Sequence, residues 1–364
     1  MVTRKKRRTA AVPEQPSGTL AIQMPPEKAE PASIGNVLMM VVPMLGSTGV
    51  MVFMAMQSES PRSMLMGGGM LVAMLGMVGF NMYRQFSQYR TRVKTQRREY
   101  LSYLAETRES VRKVAKKQRA YYNWVYPSPD ALVTLAANGS RLWSREGNTY
   151  NLLTFRYGSG TQPLGLIFER PPIDPMTEMD VVCLSAMERF IGVHNHTDNV
   201  GKFLYLGDFS HIEVVGDGES AYDEMRAIMM HLACFIDPSK LKIAVLCSAD
   251  RLGDWEWVKW MPQARSSIVR DAVGPGRMIS TDPRELAEMI GPDIAMRGAY
   301  RPGDDMPEWP HLLLVCDGAE FPHNSPFGSA VGVRGVTIMS RAREWTPMKS
   351  HTALRLVIHP SPDH

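Results

Sequence analysis

The sequence predicts a two-helix transmembrane hairpin, a long helical stalk and a three-layer α/β domain in succession. Three observations predict this. Two charge-free stretches lie close together at 34–56 and 63–83, a run without Gly or Pro spans 86–125, and the remainder alternates short β-rich runs with helical patterns. The expected boundaries are 1–33 for a basic N-terminal tail, 34–83 for the hairpin (spans at about 34–56 and 64–83), 84–125 for the stalk and 126–364 for the α/β domain.

Charge supports that division. The 364 residues carry a net charge of +4, but the four segments net +3, 0, +9 and −8. Twelve of the 27 methionines fall within 34–83, so this segment is chemically distinct. Four widely spaced cysteines, Cys183, Cys234, Cys247 and Cys316, contain no C-x-x-C pair, which argues against a disulfide scaffold or a zinc site and fits a reducing compartment.

Each charge-free stretch reaches the ~20 residues that cross a hydrocarbon layer as a helix. Arg4, Lys5, Lys6, Arg7 and Arg8 before the first, and Arg84, Arg90, Arg92, Lys94, Arg97 and Arg98 after the second, place both termini in the cytoplasm. Gly67, Gly68, Gly69, Ala73, Gly76 and Gly79 are small residues that would let another helix approach, an expectation of self-association. In the stalk, Leu101, Leu104, Val111, Ala115, Tyr122 and Val125 recur at 3–4 spacing, interrupted by Arg108 and Gln118. Arg112, Lys113, Lys116, Lys117 and Arg119 could contact nucleic acid, but no aromatic reading surface interleaves them, and anionic lipid explains the preceding basic group more simply.

Candidate strands in the α/β part are 152–155, 165–168, 211–215, 242–247, 312–316, 336–339 and 354–358, several of them continuous apolar runs as in strands covered on both faces of a parallel sheet. The strand His211–Val215 runs into Gly216-Asp217-Gly218-Glu219-Ser220 and then a helix, the layout in which backbone N–H groups hold a phosphate. A working P-loop has a lysine before its Ser/Thr; here Glu219 stands before Ser220, and Asp217 and Glu219 repel a triphosphate. Leu312-Leu313-Leu314-Val315-Cys316-Asp317 is an apolar strand ending in a carboxylate, as in strands that help hold magnesium, but Gly318 follows where a second carboxylate commonly positions water. The domain is therefore expected to be P-loop-ATPase-like but degenerate, with Gly216, Gly218, Ser220 and Asp317 as the remnant nucleotide site and no catalytic residue. A buried strand ending in an Asp-Gly turn accounts for Asp317 equally well. His194-Asn195-His196-Thr197-Asp198 has spacing compatible with metal ligands but reads better as a polar loop, and Ser185, Ser210 and Ser248 lack a nucleophile elbow.

The stretch Trp255-Glu256-Trp257-Val258-Lys259-Trp260-Met261-Pro262 resembles the Trp-x-Trp-x-Lys-Trp-Leu-Pro-His pattern of the EccC family, the FtsK/SpoIIIE-type membrane ATPases of type VII (ESX) secretion systems. Met261 replaces the Leu and Gln263 the His. Leu142-Trp143-Ser144-Arg145 and the strand-Asp-Gly motif agree with that layout. The resemblance covers almost the whole chain but only the N-terminal part of the family's architecture. It implies a multi-pass protein of the bacterial inner membrane, an anchoring and coupling part linking the pore to downstream ATPase domains. ATP and magnesium are then expected only in those domains and no cofactor in this chain. The implied partners are EccB, EccD and EccE components, with helical-hairpin substrates engaging other domains. An anchor for an FtsK-like double-stranded DNA translocase, and an active ATPase with an unorthodox phosphate site, remain the alternatives.

Overall fold

In the computed structural model the described residues are 13–30, scattered helical positions between 39 and 57, and 61–358 apart from 140, 146–151, 304–307, 343–346, 349 and 351. The elements are β1 (Gly18–Ala21), α1 (Pro61–Val125), α2 (Pro129–Asn138), β2 (Thr154–Pro163), β3 (Leu166–Glu169), α3 (Val181–His194), β4 (His196–Tyr205) and β5 (His211–Val215). They continue with α4 (Gly218–Phe235), β6 (Leu241–Cys247), β7 (Arg265–Arg270), β8 (Pro275–Arg277), β9 (Ile279–Ser280), α5 (Pro283–Ile290), β10 (His311–Asp317), β11 (Val336–Ala342) and β12 (Ala353–Val357). Two compact units result, one built from 15–118 with 163–197 and the other from 119–162 with 198–364 and the extreme N-terminus.

The transmembrane hairpin and the multi-pass membrane location expected from the sequence are not supported. Among the described residues no helix is long and apolar enough to cross a membrane. The expected first span lies largely outside the described residues. The expected second span is instead the opening of the 65-residue α1, which runs without a break into Arg84, Arg90, Arg92 and Lys94. Absence of charge is a weaker property than presence of hydrocarbon, and the five glycines at 67–69, 76 and 79 add almost no apolar surface to this stretch.

In the smaller unit, the face of α1 expected to be a sticky seam is covered by its own chain. Tyr100, Leu104 and Val111 are buried with Cys183, Met187, Phe190 and Ile191 of α3, and with Ile22 and Leu164. Leu101, counted in that seam, is exposed. Strand β1 pairs in parallel with β3. Gln118, which breaks the apolar spacing, is buried because its amide donates to Pro163 O at 2.8 Å and accepts from Gly165 N at 2.8 Å. Asp180 caps α3 by accepting from Val182 N and Cys183 N, and its other oxygen accepts from Arg97 Nε at 3.0 Å and Nη2 at 2.8 Å.

The larger unit is a mixed α/β domain around a six-stranded sheet of order β12-β5-β11-β10-β6-β9, every pairing parallel. Period-2 alternation splits each central strand between two cores. Ile243, Val245, Leu313 and Val315 pack with Tyr222, Met225, Ile228, Met229 and Leu232 of α4. Ala244, Leu246, Leu312, Leu314 and Cys316 pack on the opposite face with Leu286 and Ile290 of α5. All four cysteines are free, buried thiols, Cys247 and Cys316 on the two faces of this sheet. From β5 the chain leaves toward β6, and from β11 it leaves the other way toward β12, so the carboxyl edge between β5 and β11 is the switch point where open α/β sheets bind ligands.

Candidate functional site

That edge is where the expected site residues gather. Gly216 follows the last residue of β5, Gly218 opens α4, Ser220 lies in its first turn, and Asp317 ends β10. With β11 between β5 and β10, and strands ~4.8 Å apart, the loop and the carboxylate are separated by roughly 10 Å.

The loop is turned inward on itself. Ser220 donates from its backbone N to Asp217 O at 3.1 Å and from Oγ to the same oxygen at 2.7 Å. A Cβ on Gly216 would lie 3.1 Å from Ile358 Cβ and 3.2 Å from Ser220 Oγ, so the turn is tight. Asp217 and Glu219 are both exposed, which leaves negative charge on the approach to the helix N-terminus.

Asp317 is fully buried and surrounded by cationic and N–H donors. Its Oδ2 accepts from Trp255 Nε1 at 2.9 Å and from Arg251 Nε at 3.2 Å. Its Oδ1 lies 2.8 Å from Arg341 Nε, an ion contact without hydrogen-bond alignment. The backbone explains the convergence. Asp317 is in register with Cys247, four residues before Arg251, and Cys316 is in register with Ser340, next to Arg341. Burial acts to lower the Arg251 pKa, but the hydrogen bond to Asp317 and the charges of Asp317, Asp254 and Glu219 outweigh it and raise the value. Gly318 has a left-handed φ of 76°, and a Cβ there would lie 2.5 Å from Ser248 Oγ. The position after Asp317 therefore has no room for a second carboxylate.

These residues do not fit a magnesium–nucleotide. A divalent cation at Asp317 would face two guanidiniums, and the loop offers a carboxylate where a phosphate site supplies an ammonium. Two strands from Asp317, Glu213 of β5 and Arg355 of β12 are direct cross-strand neighbours, with Arg355 Nε donating to Glu213 Oε2 at 2.9 Å. Two charge pairs thus lie on strands at this end of the sheet, both inward-facing.

The tryptophan motif supplies one wall of the cluster. Trp255 is wholly buried, edge-on to Tyr222 at 4.9 Å and stacked on Trp257 at 6.4 Å between ring centroids. Trp260 is 77% exposed. Gln263, at the position where the family pattern has His, donates to Ala233 O at 2.9 Å and Ile236 O at 3.0 Å, tying down the end of α4. The sequence reading did not identify Arg251, Arg341 or Trp255 as partners of Asp317. Arg251 follows β6 in a short turn and Arg341 lies within β11, and neither placement by itself marks a buried acid partner. The histidines at 194 and 196 do not gather ligands, and among the described residues no group of three or more His, Cys, Asp or Glu could hold a metal.

Fold and site together define a protein with a long helix and a mixed α/β domain whose parallel sheet carries, at its carboxyl edge, an acid neutralised from within. No family model matches the chain. It is 31% identical to the ESX secretion system protein EccC of Thermomonospora curvata over 362 residues, 99% of this chain and 27% of that protein. It is 30% identical over 346 residues to the ESX-3 secretion system protein EccC3 of Mycobacterium tuberculosis, 92% of this chain and 25% of that protein. It is 31% identical to the ESX-1 secretion system protein EccCa1 of the same organism over 61% of this chain. The chain belongs to the EccC family of ESX secretion systems and spans about a quarter of the length of the EccC and EccC3 relatives it matches.

Proposed function

We propose that this chain serves a type VII secretion machine as a nucleotide-independent assembly and coupling part of an EccC-type motor, transmitting the working states of ATPase domains to the rest of the complex. The observation that carries this reading is the buried cluster of Asp317 with Arg251, Arg341 and Trp255, which occupies the sheet edge with internal charge pairs. With its acid already paired from within, the end of β10 offers nucleotide and magnesium no free carboxylate, which suits a part whose assembly does not depend on nucleotide. The partners proposed for it are EccB-, EccD- and EccE-type components of the same machine, and the cofactors ATP and magnesium are assigned to other ATPase domains.

Affinity purification of the tagged chain from cells expressing those components tests the reading. Recovery of the components should be the same with ATP, with ADP and after enzymatic removal of nucleotide. Recovery that requires nucleotide would contradict it.

A further inference from the structure

The α/β unit contains a cavity of about 170 Å³ that shares no lining residue with the carboxyl-edge cluster. Its apolar walls are Pro127, Pro129 and Leu132, and its polar walls are Arg156, Glu224 and His231. Glu224, Ala227 and His231 fall on one face of α4 by their spacing of three and four. The volume is similar to that of an engineered ~150 Å³ cavity that accepts benzene.

His231 is 1% exposed, and neither ring nitrogen has a hydrogen-bond partner among the described residues. Leaving such a group unpaired is costly, so a buried imidazole bordering a cavity points to something that satisfies it there. The ring is held by Tyr126 at 6.1 Å and Phe235 at 5.0 Å between centroids. Burial, with the positive charges of Arg145, Arg156 and Arg141, drives its pKa well below the ordinary value, so it presents one N–H donor and one acceptor.

The surrounding charge is unbalanced. Arg156 donates to Tyr126 O at 2.9 Å, Arg145 to Val125 O at 3.1 Å, and Arg141 to Trp124 O at 2.7 Å. These are neutral carbonyl acceptors, and among the described residues none of the three guanidiniums has a carboxylate within salt-bridge distance. Glu224 is the acid whose charge acts on Arg156, and burial raises its pKa to about 7 against that charge. Near neutrality it is half protonated and can donate a hydrogen bond.

We propose that this cavity binds a carboxylate, held by the His231 N–H and the Arg156 guanidinium, with its carbon body against Pro127, Pro129 and Leu132. The anion supplies the charge that three guanidiniums lack, and its apolar part fits the proline wall. This site is independent of the nucleotide reading above.

Benzoate is the probe, titrated into the full chain carrying ¹⁵N-labelled histidine, with the His231 imidazole signal identified by its loss in His231→Gln. Benzoate should shift that signal saturably, and benzamide, its neutral isostere, should bind at least ~10-fold more weakly. Gly158→Leu fills the cavity from β2, where an added Cβ meets nothing within 4 Å, and should abolish the shift with the melting temperature retained. Arg156→Gln should erase the preference for benzoate over benzamide. No saturable shift, equal binding of benzamide, or an Arg156→Gln variant that keeps the preference would each overturn the proposal. Tighter binding of acetyl-glutamate amide than of benzoate assigns the natural occupant to an acidic side chain, and the reverse assigns it to a free acid.

Discussion

The indole Nε1 of Trp255 donates to Oδ2 of Asp317 at 2.9 Å, joining the first tryptophan of the Trp-x-Trp-x-Lys-Trp run to the acid that ends β10, 62 positions later. Trp255→Phe keeps an aromatic side chain but removes the N–H donor together with the five-membered ring. It should cost about 1–3 kcal/mol, the price of leaving a buried charged acceptor one hydrogen bond short. Trp260→Ala, at an exposed site, should change stability by less than ~0.5 kcal/mol. Urea unfolding midpoints of the two variants check the contrast.

Asp317→Ala should be among the most damaging single changes. It leaves the mostly covered guanidiniums of Arg251 and Arg341 without their acid, and breaking a buried pair from one side typically costs about 3–5 kcal/mol. Asp317→Ala combined with Arg341→Met removes one of the stranded charges and should recover part of that loss. A double mutant no more stable than Asp317→Ala would show that Arg341 contributes nothing to the pairing.

Acid should destabilise the larger unit well above the range where carboxylates protonate. Burial lowers the His311 pKa to about 3, helped by Arg297, and lowers that of His231 as well. Both are neutral when folded and bind protons when unfolded, so their contribution is complete above an unfolded value of ~6.5 and lost progressively as pH falls below it. Melting temperature should decline from pH 7 to pH 5, and His311→Gln should flatten the decline.

Glu224 has the opposite sign. Its folded pKa of about 7 lies above the ordinary 4.5, so its contribution is complete below about pH 4.5 and lost as pH rises through 7. Glu224→Gln should therefore stabilise the protein at pH 8, on the order of 2 kcal/mol after allowance for partial solvent access, and change little at pH 5. Unfolding curves at the two pH values separate this from a uniform packing effect.

Within the smaller unit, Gln118→Leu should cost about 1–3 kcal/mol, because the Gly165 N–H and Pro163 carbonyl lose their shared partner. Hydrogen exchange at Gly165 should accelerate in the variant.

What could be read from the sequence follows from how local each signal is. Leu312–Val315 and Ile243–Cys247 are continuous apolar runs, and a strand buried on both faces has no other way to be written, so the parallel sheet was legible. The long helix was legible from the absence of Gly and Pro over 86–125. The region before it was read as membrane spans from its lack of charge, whereas among the described residues no helix is long and apolar enough to cross a membrane. The seam on α1 looked available because its cover, α3, lies some eighty residues further along. Asp317 was singled out as an acid ending an apolar strand, but its partners Arg251 and Arg341 come from loops and strands whose register no local pattern encodes.

Nucleotide titration by calorimetry, with magnesium present, tests the central claim most directly. The account predicts no saturable binding of ATP at millimolar concentration, because Asp317 is held by two guanidiniums and Glu219 stands where the phosphate-binding lysine would. Saturable, magnesium-dependent binding that disappears in Asp317→Asn would contradict it.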